Sequence, residues 1–173
     1  MLTRAGGVAA LSFWYGCGSA VQQTQEVSSV LPVTIVVSSA QCNLGDRELN
    51  GRFLVDEADA AQLLQRVVRP RFGVDAALPN ELDFTRQRAV VISLGAKPTP
   101  GYGLDVAATA VIDEGVLMLD VTLTSPPPGR MLPQVITTPC VVLALPKDGY
   151  QWLALVDKTS RQILLRLPVE HSL

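Results

Sequence analysis

Short apolar runs separated by turn-forming residues set the rhythm of this chain. Residues 33–40 (VTIVVSSA) are dense in β-branched side chains and predict a first strand. Residues 43–51 are turn-rich and predict a loop, after which Phe53, Leu54 and Val55 predict a short strand. The period then changes. In residues 56–68 (DEADAAQLLQRVV), Ala60, Leu63, Leu64, Val67 and Val68 form one apolar stripe at helical spacing. Asp56 is placed to cap that helix, Glu57 and Asp59 suit the positive end of its dipole, and Arg69-Pro70 stops it. Residues 72–82 are irregular. Residues 89–94 (AVVISL) are apolar almost throughout and predict a central strand. Directly after it, residues 95–106 (GAKPTPGYGLDV) crowd glycine and proline together and predict a rigid, exposed turn linking two strands of a sheet.

Beyond the turn, residues 103–112 and 116–124 predict a hairpin closed by Asp113, Glu114 and Gly115. Its second arm alternates well, with Leu117, Leu119, Val121 and Leu123 on one face and Val116, Met118, Asp120, Thr122 and Thr124 on the other. Gly103, at a strand start, marks a candidate bulge. Residues 125–133 (SPPPGRMLP) cannot join a ladder and predict a loop or an edge crossover. Residues 134–137 predict a short strand, interrupted by Thr138-Pro139-Cys140, and residues 141–145 (VVLAL) another buried one. Residues 151–156 and 162–167 predict a last hairpin. With roughly eight strands and one helix, the fold class is α+β: predominantly antiparallel β-sheet, sandwich or half-barrel like, with one packed helix.

The N-terminus reads differently from the rest. One basic residue, Arg4, precedes an uncharged apolar run that is shorter than the roughly 20 residues needed to span a bilayer. The run meets Gly16-Cys17, which is similar to a bacterial lipobox, although Trp14 stands where such signals usually carry Leu. The expected organisation is a signal peptide of lipoprotein type at 1–16, a lipidated Cys17, a flexible tether at 17–31, one β-rich domain at 32–168 and a tail at 169–173. The expected location is the cell envelope, membrane-anchored on the outer membrane or facing the periplasm. Ordinary secretion and a cytosolic chain are the alternatives.

Composition removes several function classes. Only 17% of the 173 residues are charged and the net charge is -2, so there is no basic footprint for nucleic acid. The single histidine, His171, lies at the extreme C-terminus, a poor place for a catalytic base. No nucleophile–base set, phosphate loop or metal-ligand spacing can be assembled, so no enzyme activity, cofactor or metal is expected. With Cys17 lipidated, Cys42 and Cys140 remain as a pair in an exported protein, a candidate disulfide closing a long loop and contributing roughly 4–5 kcal/mol. The alternative for Cys140 is burial as a small hydrophobe.

Taken in order, Leu82-Asp83-Phe84-Thr85, the run 89–95, Lys97-Pro98-Thr99-Pro100-Gly101-Tyr102, the hairpin, Pro126-Pro127-Pro128-Gly129 and Thr137-Thr138-Pro139-Cys140 form a pattern. It resembles the C-terminal domain of the protease complex subunit PrcB family over residues 83–147. Pro100 departs from the glycine usual in that family and stiffens the turn; Gly103 departs from a larger residue. The resemblance implies a non-catalytic accessory or binding module that stabilises or contacts an envelope protein such as a protease. Its candidate interaction residues are Lys97, Pro98, Thr99, Pro100, Gly101, Tyr102, Pro128, Gly129 and Pro139. The plainer reading of the same residues is that they only shape a β connection. Residues 97–102 are also similar to a loop of the chagasin-like cysteine protease inhibitors, so protease inhibition is the alternative function, and a structural envelope lipoprotein a third. Palmitate labelling of producing cells checks the anchor: the chain should carry label, and a Cys17→Ala variant should lose it and keep its precursor mass.

Overall fold

The computed structural model describes residues 29–42, 44–67 and 82–169. The expected signal peptide, Cys17, His171 and residues 72–81 lie outside the described residues. Nine strands and one helix form among those described: β1 (Val30–Pro32), β2 (Thr34–Ser39), β3 (Asn50–Leu54), α1 (Glu57–Val67), β4 (Gln87–Ser93), β5 (Gly103–Asp113), β6 (Val116–Thr124), β7 (Cys140–Pro146), β8 (Trp152–Asp157) and β9 (Ile163–Pro168). They make two sheets. The larger has the order β1-β5-β6-β8-β9, and the smaller the order β2-β7-β4-β3. Every pairing is antiparallel except β6 with β8. The α+β expectation, mainly antiparallel sheet with one packed helix, describes this architecture.

The burial pattern explains the layering. β4 and β7 pair from Gln87↔Pro146 to Ser93↔Cys140 at the middle of the smaller sheet. On one face Val90, Ile92, Val141, Leu143 and Leu145 meet Leu117, Leu119, Val121, Leu153 and Leu155 of the larger sheet. On the other face Ala89, Val91 and Val142 meet Leu63, Leu64 and Val67 of α1. Strands buried on both faces read as continuous apolar runs, which is why AVVISL and VVLAL show no alternation. β6 contacts the core on one face only and alternates as expected, with Leu117, Leu119 and Val121 buried.

The helix begins as its sequence requires. The Asp56 carboxylate accepts the N–H of Asp59 at 2.8 Å. Asp59 in turn accepts the N–H of Val55 at 3.1 Å and both guanidinium nitrogens of Arg52, at 2.7 and 2.9 Å. That paired hydrogen bond holds the Asp59 carboxyl below its ordinary range. A similar local device opens β4. Asp83 accepts the N–H of Thr85 at 2.9 Å and its hydroxyl at 2.5 Å, and the Lys147 ammonium donates to the carbonyl of Phe84 at 3.0 Å.

Several expectations are corrected. The first strand is two: β1 joins the larger sheet and β2 the smaller, with Val33 buried at the switch. Val30 and Leu31, left in the tether by their sequence, pair with Val111 and Ala110. Val169, assigned to the tail, is buried and donates its N–H to Gln151 at 2.8 Å. Residues 134–136 form no strand, because Pro133 and Pro139 flank them too closely for a ladder; Thr137 makes a single bridge with Lys97 and Thr138 another with Gln41. The bulge in β5 lies between Val106 and Ala110, whereas Gly103 pairs regularly with Thr124. The hairpin turn is as expected, with Glu114 and Gly115 both at positive φ (45° and 76°).

Tyr150 follows β7, is buried, and donates its hydroxyl to the carbonyl of Pro146 at 2.8 Å. Burial pushes this phenol up to about 12, with Arg88 opposing and Asp148 adding to the shift. The folded chain therefore keeps the proton after the unfolded chain, at about 10, has lost it. Stability should be intact below pH ~10 and fall between pH ~10 and ~12 by at most about 1.4 kcal/mol per unit. Urea unfolding across that range checks this, and Tyr150→Phe should remove that part of the alkaline slope.

Candidate functional site

The turn after β4 does not link neighbouring strands of one sheet, as its sequence suggested. It carries the chain from the smaller sheet, at Ser93, to the larger one, at Gly103. Such a crossing needs fixed backbone, and the residues supply it in order. The Ser93 hydroxyl accepts the N–H of Gly95 at 3.1 Å. Gly95 has φ +73°, and a Cβ there would lie 2.5 Å from the carbonyl oxygen of Arg47 and the nitrogen of Glu48. No other residue fits. Ala96 donates to the carbonyl of Asp46 at 3.1 Å. Lys97 and Thr137 exchange both backbone hydrogen bonds, at 2.8 and 2.9 Å. The Thr137 hydroxyl then donates to the carbonyl of Thr99 at 3.1 Å.

A second wall comes from the proline-rich loop between β6 and β7. Gly101, at φ +100°, approaches Pro126 so closely that an added Cβ would lie 3.1 Å from the proline Cβ. The turn and the loop therefore stand side by side. The Lys97 ammonium lies 5.9 Å from the centre of the Tyr102 ring, at the outer limit of a cation–π contact. A third wall is the segment entering β7. Thr138 donates to the carbonyl of Ala40 at 3.0 Å, Cys42 donates to the Thr138 carbonyl at 2.9 Å, and the Gln41 amide donates to the Ile136 carbonyl at 3.2 Å. The structure joins Cys42 and Cys140 through a disulfide, with Cα atoms 6.0 Å apart and a sequence separation of 98. Both cysteines are buried, beside Leu54, Leu63 and Leu64.

The sequence-named residues separate into two groups. Pro98, Gly101, Pro128 and Gly129 are exposed, and Lys97, Thr99, Pro100 and Tyr102 are half-buried. All belong to the turn or the adjoining loop. Pro139 differs from the rest: it is buried, and its carbonyl accepts the N–H of Leu94 at 2.8 Å, so it seats β4 against β7. Three residues that sequence reasoning passed over stand out instead. Met131 is fully exposed, Ile136 is 68% exposed and Val135 is 51% exposed. Val135 and Ile136 were hidden by the expectation of a strand at 134–137. The flanking prolines were the signal that those side chains project from a loop.

The arrangement sets exposed apolar side chains on a loop whose backbone is held by hydrogen bonds. Among the described residues, no three His, Cys, Asp or Glu side chains group closely enough to hold a metal. A cleft of about 190 Å³ between α1 and β3 is lined by Asp46, Asn50, Arg52, Arg66 and Ser93. It borders the root of the turn through Asp46 and Ser93, and its Arg52 is already paired with Asp59.

Residues 88–146 match the family model described as PrcB C-terminal, the family that the ordered motifs resemble. The matched span runs from β4 to β7 and contains the whole of the turn, the proline-rich loop and the apolar segment. Comparison with curated proteins and with solved structures gave no match.

Two of the glycines at positive φ, Gly95 and Gly129, separate conformation from contact. Gly129, at φ +77°, has open space around it. Gly129→Ala should cost about 1 kcal/mol. Gly95→Ala meets the backbone of Arg47 and Glu48 and should cost about 2–4 kcal/mol. Urea midpoints of the two variants check the order.

Proposed function

We propose that this domain is a non-catalytic accessory module of the cell envelope that engages another exported protein, a protease in the first instance. The observation that carries this reading is that Met131, Val135 and Ile136 are exposed on the segment whose Thr137 pairs with the fixed turn at Lys97. Side chains of this size left open on a rigid backbone favour protein contact, because little conformational freedom is lost when they are covered. Tyr102 adds a large ring with a polar tip. The match to the PrcB C-terminal model supports the choice of a protease complex as the setting.

Chain geometry favours the same reading. The described chain enters at Ser29 and Val30, beside Val111 and Ile112 near the hairpin turn. The candidate surface lies at the other end of β5, where Gly103 pairs with Thr124. With β5 rising about 3.3 Å per residue, the two are separated by roughly 30 Å. A lipid on Cys17 then anchors one end of the domain, with the apolar loops at the other end available to a protein. No helix among the described residues is long and apolar enough to cross a membrane.

A second reading, direct inhibition of a protease, is favoured by the double backbone pairing of Lys97 with Thr137. A loop held that way is pre-organised to occupy a cleft. One experiment separates the two. The purified protein is mixed with the exported serine and cysteine proteases of the same cell. An accessory role predicts a longer active lifetime of one protease; inhibition predicts loss of activity near equimolar ratio. In either case, Met131→Glu with Ile136→Glu should weaken the effect about tenfold or more, while leaving the urea midpoint unchanged. Absence of any effect on every protease tested would overturn both readings.

A further inference from the structure

The outer strands of the two sheets differ in how their edges are protected. On one side β3 and β9 close on each other: a Cβ on Gly51 would lie 3.0 Å from the Leu167 side chain. β2 is broken by a bulge between Ile35 and Val37. β5 is the exception. β1 covers it only from Thr109 to Val111, with the Val33 N–H reaching the Ala108 carbonyl at 2.9 Å. Over residues 103–106, β5 pairs with β6 on one side and, among the described residues, with no strand on the other. This stretch reads Gly103, Leu104, Asp105, Val106. It has no proline and no lysine, the usual guards of an open edge, and one charge.

The inter-sheet space is also incompletely closed along this rim. Ile35 sits opposite Leu143, which is wholly buried, yet Ile35 remains 49% exposed. Leu123 sits opposite Leu104, which packs on the core, yet Leu123 remains 43% exposed. Directly opposite residues point to the same face, so both side chains face the space between the sheets and are incompletely covered there.

We propose that residues 103–106 receive an extended segment of a partner protein as an added β-strand. The proposal rests on the accessory reading and supplies its mode of contact. The stretch is about 13 Å long, room for four residues between Tyr102 and the end of β1. Backbone N–H and C=O groups along an edge are completed by another backbone, which an acyl chain or a compact small molecule does not provide. The segment carries alternate apolar side chains, which extend the core-facing row of Leu104 and Val106, and a basic residue opposite Asp105. A second copy of this chain fits less well, because a two-fold pairing centred on Asp105 sets two carboxylates against each other.

Peptides selected from a random displayed library on the immobilised full chain serve as probes. The selected peptides should alternate apolar residues, and blocking their amides by N-methylation should weaken binding about tenfold at every second position and little at the positions between. Their binding should slow amide hydrogen exchange at residues 103–106. Four results would each overturn the proposal: no selected peptide, indifference to N-methylation, protection confined to other residues such as 125–136, or protection of residues 103–106 by self-association without peptide. The readings fail separately. A protease effect abolished by the Met131/Ile136 variant, without protection at residues 103–106 by any probe, removes strand addition and leaves the accessory role. Strand addition without a protease effect does the reverse.

Discussion

The pairing of β4 with β7 is the constraint on which the rest of the structure depends. Both strands are buried on both faces, so each must send alternate side chains into two different cores. That requirement favours apolar residues along the middle of the pair, Ala89 to Ile92 against Val141 to Ala144, and makes each strand interior, with β2 and β3 supplied as outer neighbours. It also fixes the layers: the larger sheet packs on one side and α1 on the other. Size is set locally. Ala89 and Ala60, both fully buried in the helix-side cluster, leave space for Leu63 and Leu64.

From the ends of that pair the backbone of the candidate surface is built. β4 ends at Ser93 and β7 begins at Cys140, directly opposite. Pro139, Leu94 and Thr137 tie the two exits together, and the disulfide to Cys42 holds the same corner from the helix side. The turn at 95–102 is thus braced by main-chain hydrogen bonds to Asp46 and Thr137 and by contact with Pro126. Little of this bracing uses side chains that point outward. The side chains of Met131, Val135 and Ile136 are therefore free of structural duty, and their exposure is unrelated to holding the turn.

Much of the fold was legible because its signals are local. The helix announced its period and its Asp56 cap; β6 announced its alternation; β4 and β7 announced double burial by lacking alternation. What was not legible depended on which sheet a strand joins. Val33 looks like the middle of one strand, yet the chain changes sheets there. The turn at 95–102 has the composition of a connection within a sheet, and nothing in its residues reports that it crosses between two. The same limit applied to the surface. Pro139 carries the same local character as Pro128, but long-range pairing with Leu94 buries one and leaves the other exposed. Val135 and Ile136 have strand-like side chains, and it was the spacing of Pro133 and Pro139 that denied them a ladder.

Several of the positions that define the family pattern serve the scaffold. Asp83 organises the turn before β4, Thr137 and Thr138 stitch β7 to its neighbours, Pro139 seats β4, and Gly101 admits Pro126. A pattern made of such residues identifies a way of building this end of a sandwich. It does not specify the side chains that cover the outside. On the proposed reading, partner choice is therefore set by residues the pattern leaves free, Met131, Val135 and Ile136, beside the Tyr102 that the pattern includes. The same scaffold can then present different surfaces to different exported proteins without altering β4, β7 or the turn between the sheets.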